Sequence, residues 1–400
     1  MSDLVARINP PVRTLMGPGP SDIHPNVLAA MAKPTVGHLD PYYLKVMDEL
    51  QGMLRQLFRT ENAMTFAVSG TGSAGMEATV VNLVEPGDNV VVCVNGVFGK
   101  RLADVATRAG GNVTVVEKPW GEVFTADDLK ETIAATKPKL VAIVMAETST
   151  GAWQPIEEIS ELVHNAGAML LVDAVTSLGG VAVEVDKWNI DAIYSGSQKC
   201  LSCPPGLAPV SFSAKAMETI MNRKTPVQSW YLDVSLLANY WGENRVYHHT
   251  APINMSYGLH EAVRLILEEG LDNCFARHLK NHQALAAGLS AIGIEYTAAE
   301  GHRLPMLNAV KVPEGIEDTV IRKGLLNQFG IEIGGGLGAF AGKVWRIGLM
   351  GYAARQNNVL LFLAALEQLL AAQGYQFDRG ASIEDANQVY LAYSHAKTLG

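Results

Sequence analysis

The sequence predicts an α/β protein: a large domain on a mostly parallel seven-stranded sheet, followed by a smaller C-terminal α/β domain. Three observations lead there. From about residue 60 to 215, short β-branched runs alternate with helical patterns, as βαβ crossovers feeding a parallel sheet require. Several of those runs are apolar at every position, which suits strands buried on both faces. Beyond Gly270 the texture changes to a shorter α/β pattern that closes with a long helix.

In chain order, an N-terminal arm spans residues 1–20, the large domain 21–272, and the small domain 273–400 with its polar tail. The expected strands are Met64 to Val68, Val90 to Val94, Val113 to Glu117, Leu140 to Met145, Met169 to Asp173, Ala192 to Ser195 and Ala208 to Phe212. After the first strand, Gly70-Thr-Gly leads into a helix in which Met76, Val80 and Leu83 fall at helical spacing, and Pro86-Gly87 stops it. A second helical stretch, Leu259 to Glu269, is closed by Gly270. The small domain reads as the strand LNAVKVP, a helix near 317–329, the segments IEIGGGLG and KVWRIGLMG, and a final helix. The tail beyond Gly374 is polar and shows no clear periodicity.

Composition excludes several functions. Of 400 residues, 48% are apolar and 18% charged, the profile of a compact globular enzyme. The formal net charge of -9 argues against the broad basic surface that nucleic-acid binding needs. No apolar run is long enough to span a bilayer, and the first residues lack a signal-length apolar stretch, so no membrane partner and a cytoplasmic location are expected. Four cysteines are too few for a disulfide framework. Cys200 and Cys203 have the spacing of a metal or redox pair but no second pair beside them, so no metal site is expected.

The chemistry concentrates where strands end. Gly70-Thr-Gly-Ser-Ala-Gly75 matches a dinucleotide fingerprint between a strand and a helix. A nicotinamide site would also want an acid at the end of the next strand, and that strand ends in Asn95-Gly96. The broader reading is that backbone N–H groups of Ser69 to Ser73, at a helix N-terminus, cradle a phosphate; a turn that simply needs glycines would look the same. Asp173 closes a buried strand, where ligands of open α/β sheets sit. A buried acid wants a cationic partner, such as a protonated pyridine nitrogen, although an Asp capping the next turn remains open. Lys199 follows the next strand on a glycine-containing loop of the same rim, where a desolvated amine can form a Schiff base. Arg346 lies within an apolar strand of the small domain and wants a planar anion: a substrate carboxylate, or an internal salt-bridge partner. Trp230, Tyr231, Tyr240, Trp241 and Tyr247 form an aromatic cluster that suits an interface or an ordinary core. His248 and His249 lack ligand spacing and read as hydrogen-bonded structural residues.

Taken in order, Gly17-Pro-Gly-Pro20, Ser69 to Ser73, Glu147-Thr-Ser-Thr-Gly151, Val172 to Val175, Ser195 to Lys199, Tyr247 to Thr250, Gly334 to Gly338 and Arg346-Ile-Gly-Leu resemble the alanine-glyoxylate and serine-pyruvate aminotransferase family. The resemblance covers about residues 13–372. It implies a fold type I PLP-dependent transferase, a homodimer, with pyridoxal 5'-phosphate as cofactor. It implies that Lys199 joins the cofactor, Asp173 partners its pyridine nitrogen, Val175 packs on the ring and Thr148 contacts its substituents. Ser69, Gly70, Thr71, Gly72, Ser73 and Gln198 would hold the phosphate, with Tyr247 and Thr250 supplied by the neighbouring subunit. Arg346 would bind the substrate carboxylate. Two positions depart from some family members: Phe98 stands where a tryptophan stacks on the ring, and Ser73 where a histidine flanks the phosphate loop.

The expected reaction moves an amino group from a small amino acid, alanine or serine, to glyoxylate or pyruvate, the 2-oxo acid partners. Ureidoglycine–glyoxylate or serine–glyoxylate transfer on the same scaffold is the alternative. A lyase or desulfurase would need a mobile nucleophilic cysteine, and Cys93, Cys200, Cys203 and Cys274 all fall in or beside structured segments. A nicotinamide oxidoreductase would explain the glycine loop but not Lys199, Asp173 and Arg346 together.

Overall fold

The computed structural model describes residues 7–398, with side chains to residue 395. The seven expected strands form one sheet, each within a residue of its expected bounds. In spatial order they are Met64–Ser69, Leu207–Phe212, Ala192–Tyr194, Met169–Asp173, Leu140–Val144, Asn89–Val94 and Asn112–Glu117. Leu207–Phe212 runs antiparallel to both neighbours; the other pairings are parallel. Six strands therefore point the same way, and their C-terminal ends share one edge. The fully apolar reading of the central strands is physical: Leu140–Val144 and Met169–Asp173 are buried at every position, because helices cover both faces.

Local sequence sets the flanking helices. Asp40 caps helix Pro41–Phe58 by accepting the Tyr42 N–H at 2.8 Å, with Pro41 preset at the first helical position. Arg59 ends that helix in the left-handed conformation. Helix Gly72–Leu83 starts directly at the glycine loop and buries Met76, Val80 and Leu83.

Buried apolar residues fall into two clusters. The larger surrounds the seven-stranded sheet, and the smaller packs helices Asp318–Phe329, Gln356–Ala372 and Ala381–Thr398 on a three-stranded antiparallel sheet. Helix Leu271–Ala291 joins them, giving Cys274 to the first and Ala284, Leu285 and Leu289 to the second. Thr14–Leu15 pairs in parallel with Ile331–Glu332, so the arm is stitched to the smaller cluster. In strand Val344–Gly348, Trp345 and Ile347 enter the small core while Arg346 faces the other way, as strand alternation requires.

The polar tail is a correction to the sequence reading. Residues Ala381–Thr398 form a helix. Ala386 and Tyr390 join the apolar core, Ile383 and Val389 pack against it, and polar bonds add to them: Tyr390 Oη donates to Asn281 at 2.7 Å, and Glu367 accepts from Ser382 N–H at 3.0 Å and hydroxyl at 2.6 Å. Its apolar residues fall at helical spacing, but the stripe is narrow and the rest of the helix is polar.

Candidate active site

The shared sheet edge gathers most of the residues singled out in the sequence. Asp173, at the end of its strand, is 3% exposed. Its Oδ1 accepts the Val175 N–H at 2.9 Å and its Oδ2 accepts the Tyr194 hydroxyl at 2.6 Å. Burial pushes this carboxyl up to about 6, opposed by those two donors and by the charges of Lys199 and Arg101. A carboxylate kept dry in this way is poised to pair with a cation delivered to it.

Lys199 emerges from the next crossover. Its amine donates to the carbonyl of Pro18, in the arm segment that crosses above it. Gly19 has φ +109°, and a Cβ there would fall 2.5 Å from Lys199 Nζ, so only glycine lets the arm pass so close. Burial lowers the amine to about 8, and the positive charge of Arg346 pushes the same way, so a useful fraction is neutral near pH 7.5. The backbone of the Lys199 loop is tied down: Ser21 Oγ donates to Lys199 O at 2.7 Å, and Ser21 N–H to Gln198 O at 3.0 Å.

Arg346 is 7% exposed. It donates through Nε to Gly335 O at 2.7 Å and through Nη1 to Thr148 O at 3.5 Å. Among the described residues it makes no ion pair, so the internal salt bridge that the sequence left open is not formed. Glu147 supplies a compensating charge, which favours the guanidinium's protonated form against burial. A buried guanidinium fork with only carbonyl partners has strong affinity for an incoming carboxylate.

The glycine loop suits an anion. Thr71 caps helix Gly72–Leu83 without a side-chain bond, which leaves the helix's first N–H groups to a ligand. Ser69 and Gly70 are partly exposed, and Thr71 and Ser73 are open to solvent. Gly72 forms the floor: a Cβ there would come within 3.4 Å of Val175 Cγ2 and 3.5 Å of Gly196 Cα. Gln198 Oε1 is buried with no hydrogen-bond partner, the mark of a carboxamide built for a ligand. A phosphate with a flat cationic ring attached fits this set of residues: donors at the loop, an acid at Asp173, a partly neutral amine at Lys199.

Thr148 is buried beside Arg346, and Phe98 stands partly exposed at the start of helix Val97–Arg108. The Arg101 guanidinium lies 5.1 Å from the Phe98 ring centroid. Tyr247, 54% exposed, and Thr250, also exposed, stand apart on the surface. Between them His249 bonds Ser69 Oγ at 2.7 Å, and His248 stacks on Trp230 at 4.4 Å. Of the aromatic cluster, Tyr240 and Trp241 are core, whereas Trp230 and Tyr231 are surface residues. All four cysteines are free and buried, with their thiols pushed far up by burial, so none is a mobile nucleophile.

A family model for class-V aminotransferases matches residues 16–359. The chain belongs to the class-V aminotransferase family. It is similar to the solved alanine–glyoxylate aminotransferase of Nostoc sp., with 51% identity, coverage of 92% of this chain and 97% of that one, and a TM-score of 0.91. The ureidoglycine–glyoxylate aminotransferase structure from Bacillus subtilis is 42% identical, covers 96% of this chain and 100% of that one, and superposes with a TM-score of 0.94. An alanine–glyoxylate aminotransferase of Callithrix jacchus is 41% identical over 371 residues, covering 92% of this chain and 90% of the relative. The enzyme is thus a fold type I aminotransferase. Sequence reasoning gave no role to two buried residues at the site: Tyr194, which donates to Asp173, and Glu147. Glu147 had a signal, since it follows an apolar strand as Asp173 does.

Proposed function

We propose that this aminotransferase uses pyridoxal 5'-phosphate and transfers the amino group of a small neutral amino acid, alanine or serine, to glyoxylate or pyruvate. The observation that carries the substrate class is Arg346, a buried guanidinium free of any ion pair among the described residues. One such fork accepts one carboxylate. Three other arginines lack an ion pair among the described residues but are not buried as Arg346 is: Arg13 and Arg303 are partly exposed and Arg101, over Phe98, is exposed.

The cofactor, when bound, supplies the electron sink for charge that develops on the substrate α-carbon. The chain supplies the rest. Ser69 to Ser73 and Gln198 would hold its phosphate, Val175 and Phe98 its ring faces, and Thr148 its substituents. Asp173 would pair with the protonated ring nitrogen and keep it charged. Lys199 Nζ, lowered toward neutrality, is the base and acid that takes and returns the α-proton. Arg346 orients the substrate through its carboxylate. Tyr247 and Thr250, exposed on a segment anchored at Ser69, would complete the site of a second copy in a homodimer. The cytoplasm remains the compartment we assign.

Steady-state assays over a donor and acceptor panel test this reading, and the Bacillus subtilis relative places ureidoglycine in the panel. A second carboxylate would be buried without a partner, so glutamate and 2-oxoglutarate should give kcat/KM lower by about 10²-fold or more than alanine and glyoxylate. Equal values would mean that a second cationic clamp operates.

A further inference from the structure

Glu147 is wholly buried at the same sheet edge, and the reading above gives it no part. Its carboxylate is spent on four bonds. Oε2 accepts the N–H groups of Phe98 at 3.0 Å and Gly99 at 3.2 Å; Oε1 accepts the Ser149 N–H at 3.1 Å and the Ser149 hydroxyl at 2.5 Å. Ser149 Oγ in turn accepts the Val97 N–H at 2.9 Å. Three leading N–H groups of helix Val97–Arg108, which no intrahelical carbonyl can satisfy, are therefore capped from a different crossover. The negative charge also sits at the positive end of that helix. Gly96 makes the approach possible: a Cβ there would lie 2.3 Å from Glu147 Cδ.

The helix that Glu147 grips carries Phe98 in its first turn. Arg101 lies over one face of the Phe98 ring, and the ring is partly exposed. Thr148, next to Glu147 in the chain, accepts from Arg346 Nη1 at 3.5 Å, so this helix end borders the site.

We propose that Glu147 is a positioning residue, which fixes the first turn of helix Val97–Arg108 so that Phe98 presents a set face to the cofactor ring. The proposal rests on the cofactor reading above. Glu147 touches neither substrate nor cofactor; it acts through Phe98.

The test is a double-variant cycle on cofactor affinity, measured by titrating pyridoxal 5'-phosphate into cofactor-free full-length protein and following the visible absorbance and circular dichroism. Glu147→Gln keeps the size and loses the charge and one acceptor; it should raise the dissociation constant about tenfold and shrink the visible dichroic band. In a Phe98→Leu background the same change should cost less than about threefold, because the residue through which it acts is already gone. If Glu147→Gln does not fold, Glu147→Asp, which keeps the charge and retracts it by one methylene, takes its place in the cycle. An equal loss in both backgrounds would show a merely structural role and overturn the proposal. So would affinity within about twofold of wild type with an unchanged dichroic band. Failure of the wild-type protein itself to bind the cofactor would instead overturn the functional reading, and this proposal with it.

Discussion

The floor of the site and the Tyr247–Thr250 segment are built on opposite plans. Asp173 and Arg346 are almost wholly buried, and Lys199 is covered by the arm, each held by hydrogen bonds from its own chain. Tyr247 and Thr250 are exposed, although the two histidines between them are anchored inward. One chain thus completes the groups proposed to handle charge and protons. It turns outward the hydroxyls proposed to help grip a phosphate. On the proposed reading, chemistry at the floor depends on desolvation and grip at the rim on a neighbour.

The floor should break most severely. Asp173→Asn keeps the shape and removes the charge that holds the ring proton. The first half-reaction should slow by roughly 10²–10³-fold with little change in substrate binding, because the lost interaction strengthens as charge develops. Single-turnover rates with alanine decide it, and an unchanged rate would remove Asp173 from the chemistry.

The rim should break more gently, and across the interface. Tyr247→Phe with Thr250→Ala should raise the cofactor dissociation constant by about 10- to 100-fold through lost bonds to a charged group. Mixing that chain with a Lys199→Ala chain should restore activity at limiting cofactor, since the hybrid dimer holds one site with every residue intact. No gain on mixing, or a fully active monomer, would place the two hydroxyls in their own chain's service or outside the site.

The smallest expected effect is on pH-dependent stability of the cofactor-free protein. Folding lowers the Lys199 amine from the ordinary value of 10.5 to about 8. Between those values the unfolded chain binds more protons, so this residue makes stability rise with pH; below pH 8 the buried charge is a cost. Lys199→Ala removes the slope. Its melting temperature relative to wild type should be highest below pH 8 and decline toward pH 10.5, and a flat difference would mean that the amine is not desolvated.

The floor was also the more legible region. Strands buried on both faces must be continuously apolar, so Leu140–Val144 and Met169–Asp173 announced themselves, and the polar residues that interrupt each pattern at its end were the functional candidates. Glu147 interrupted the pattern in the same way. Its partners are backbone N–H groups of Phe98 and Gly99, about fifty residues earlier, and backbone donors leave no trace in residue types. Helix Ala381–Thr398 escaped because its apolar stripe, Ile383, Ala386, Val389 and Tyr390, is narrow, and hydrogen bonds at Ser382 and Tyr390 supplement it. Arg346 was visible as a charge within an apolar strand, but its freedom from an ion pair is a fact of packing alone.

The central claim is that the amine buried under the arm is the one that joins the cofactor. Borohydride reduction of the cofactor-loaded enzyme, followed by proteolysis and mass spectrometry, tests it most directly. The account predicts that the visible band is lost and that the reduced phosphopyridoxyl group is found on the peptide containing Lys199, with none in Lys199→Ala. Attachment at another lysine, or no covalent adduct at all, would contradict it.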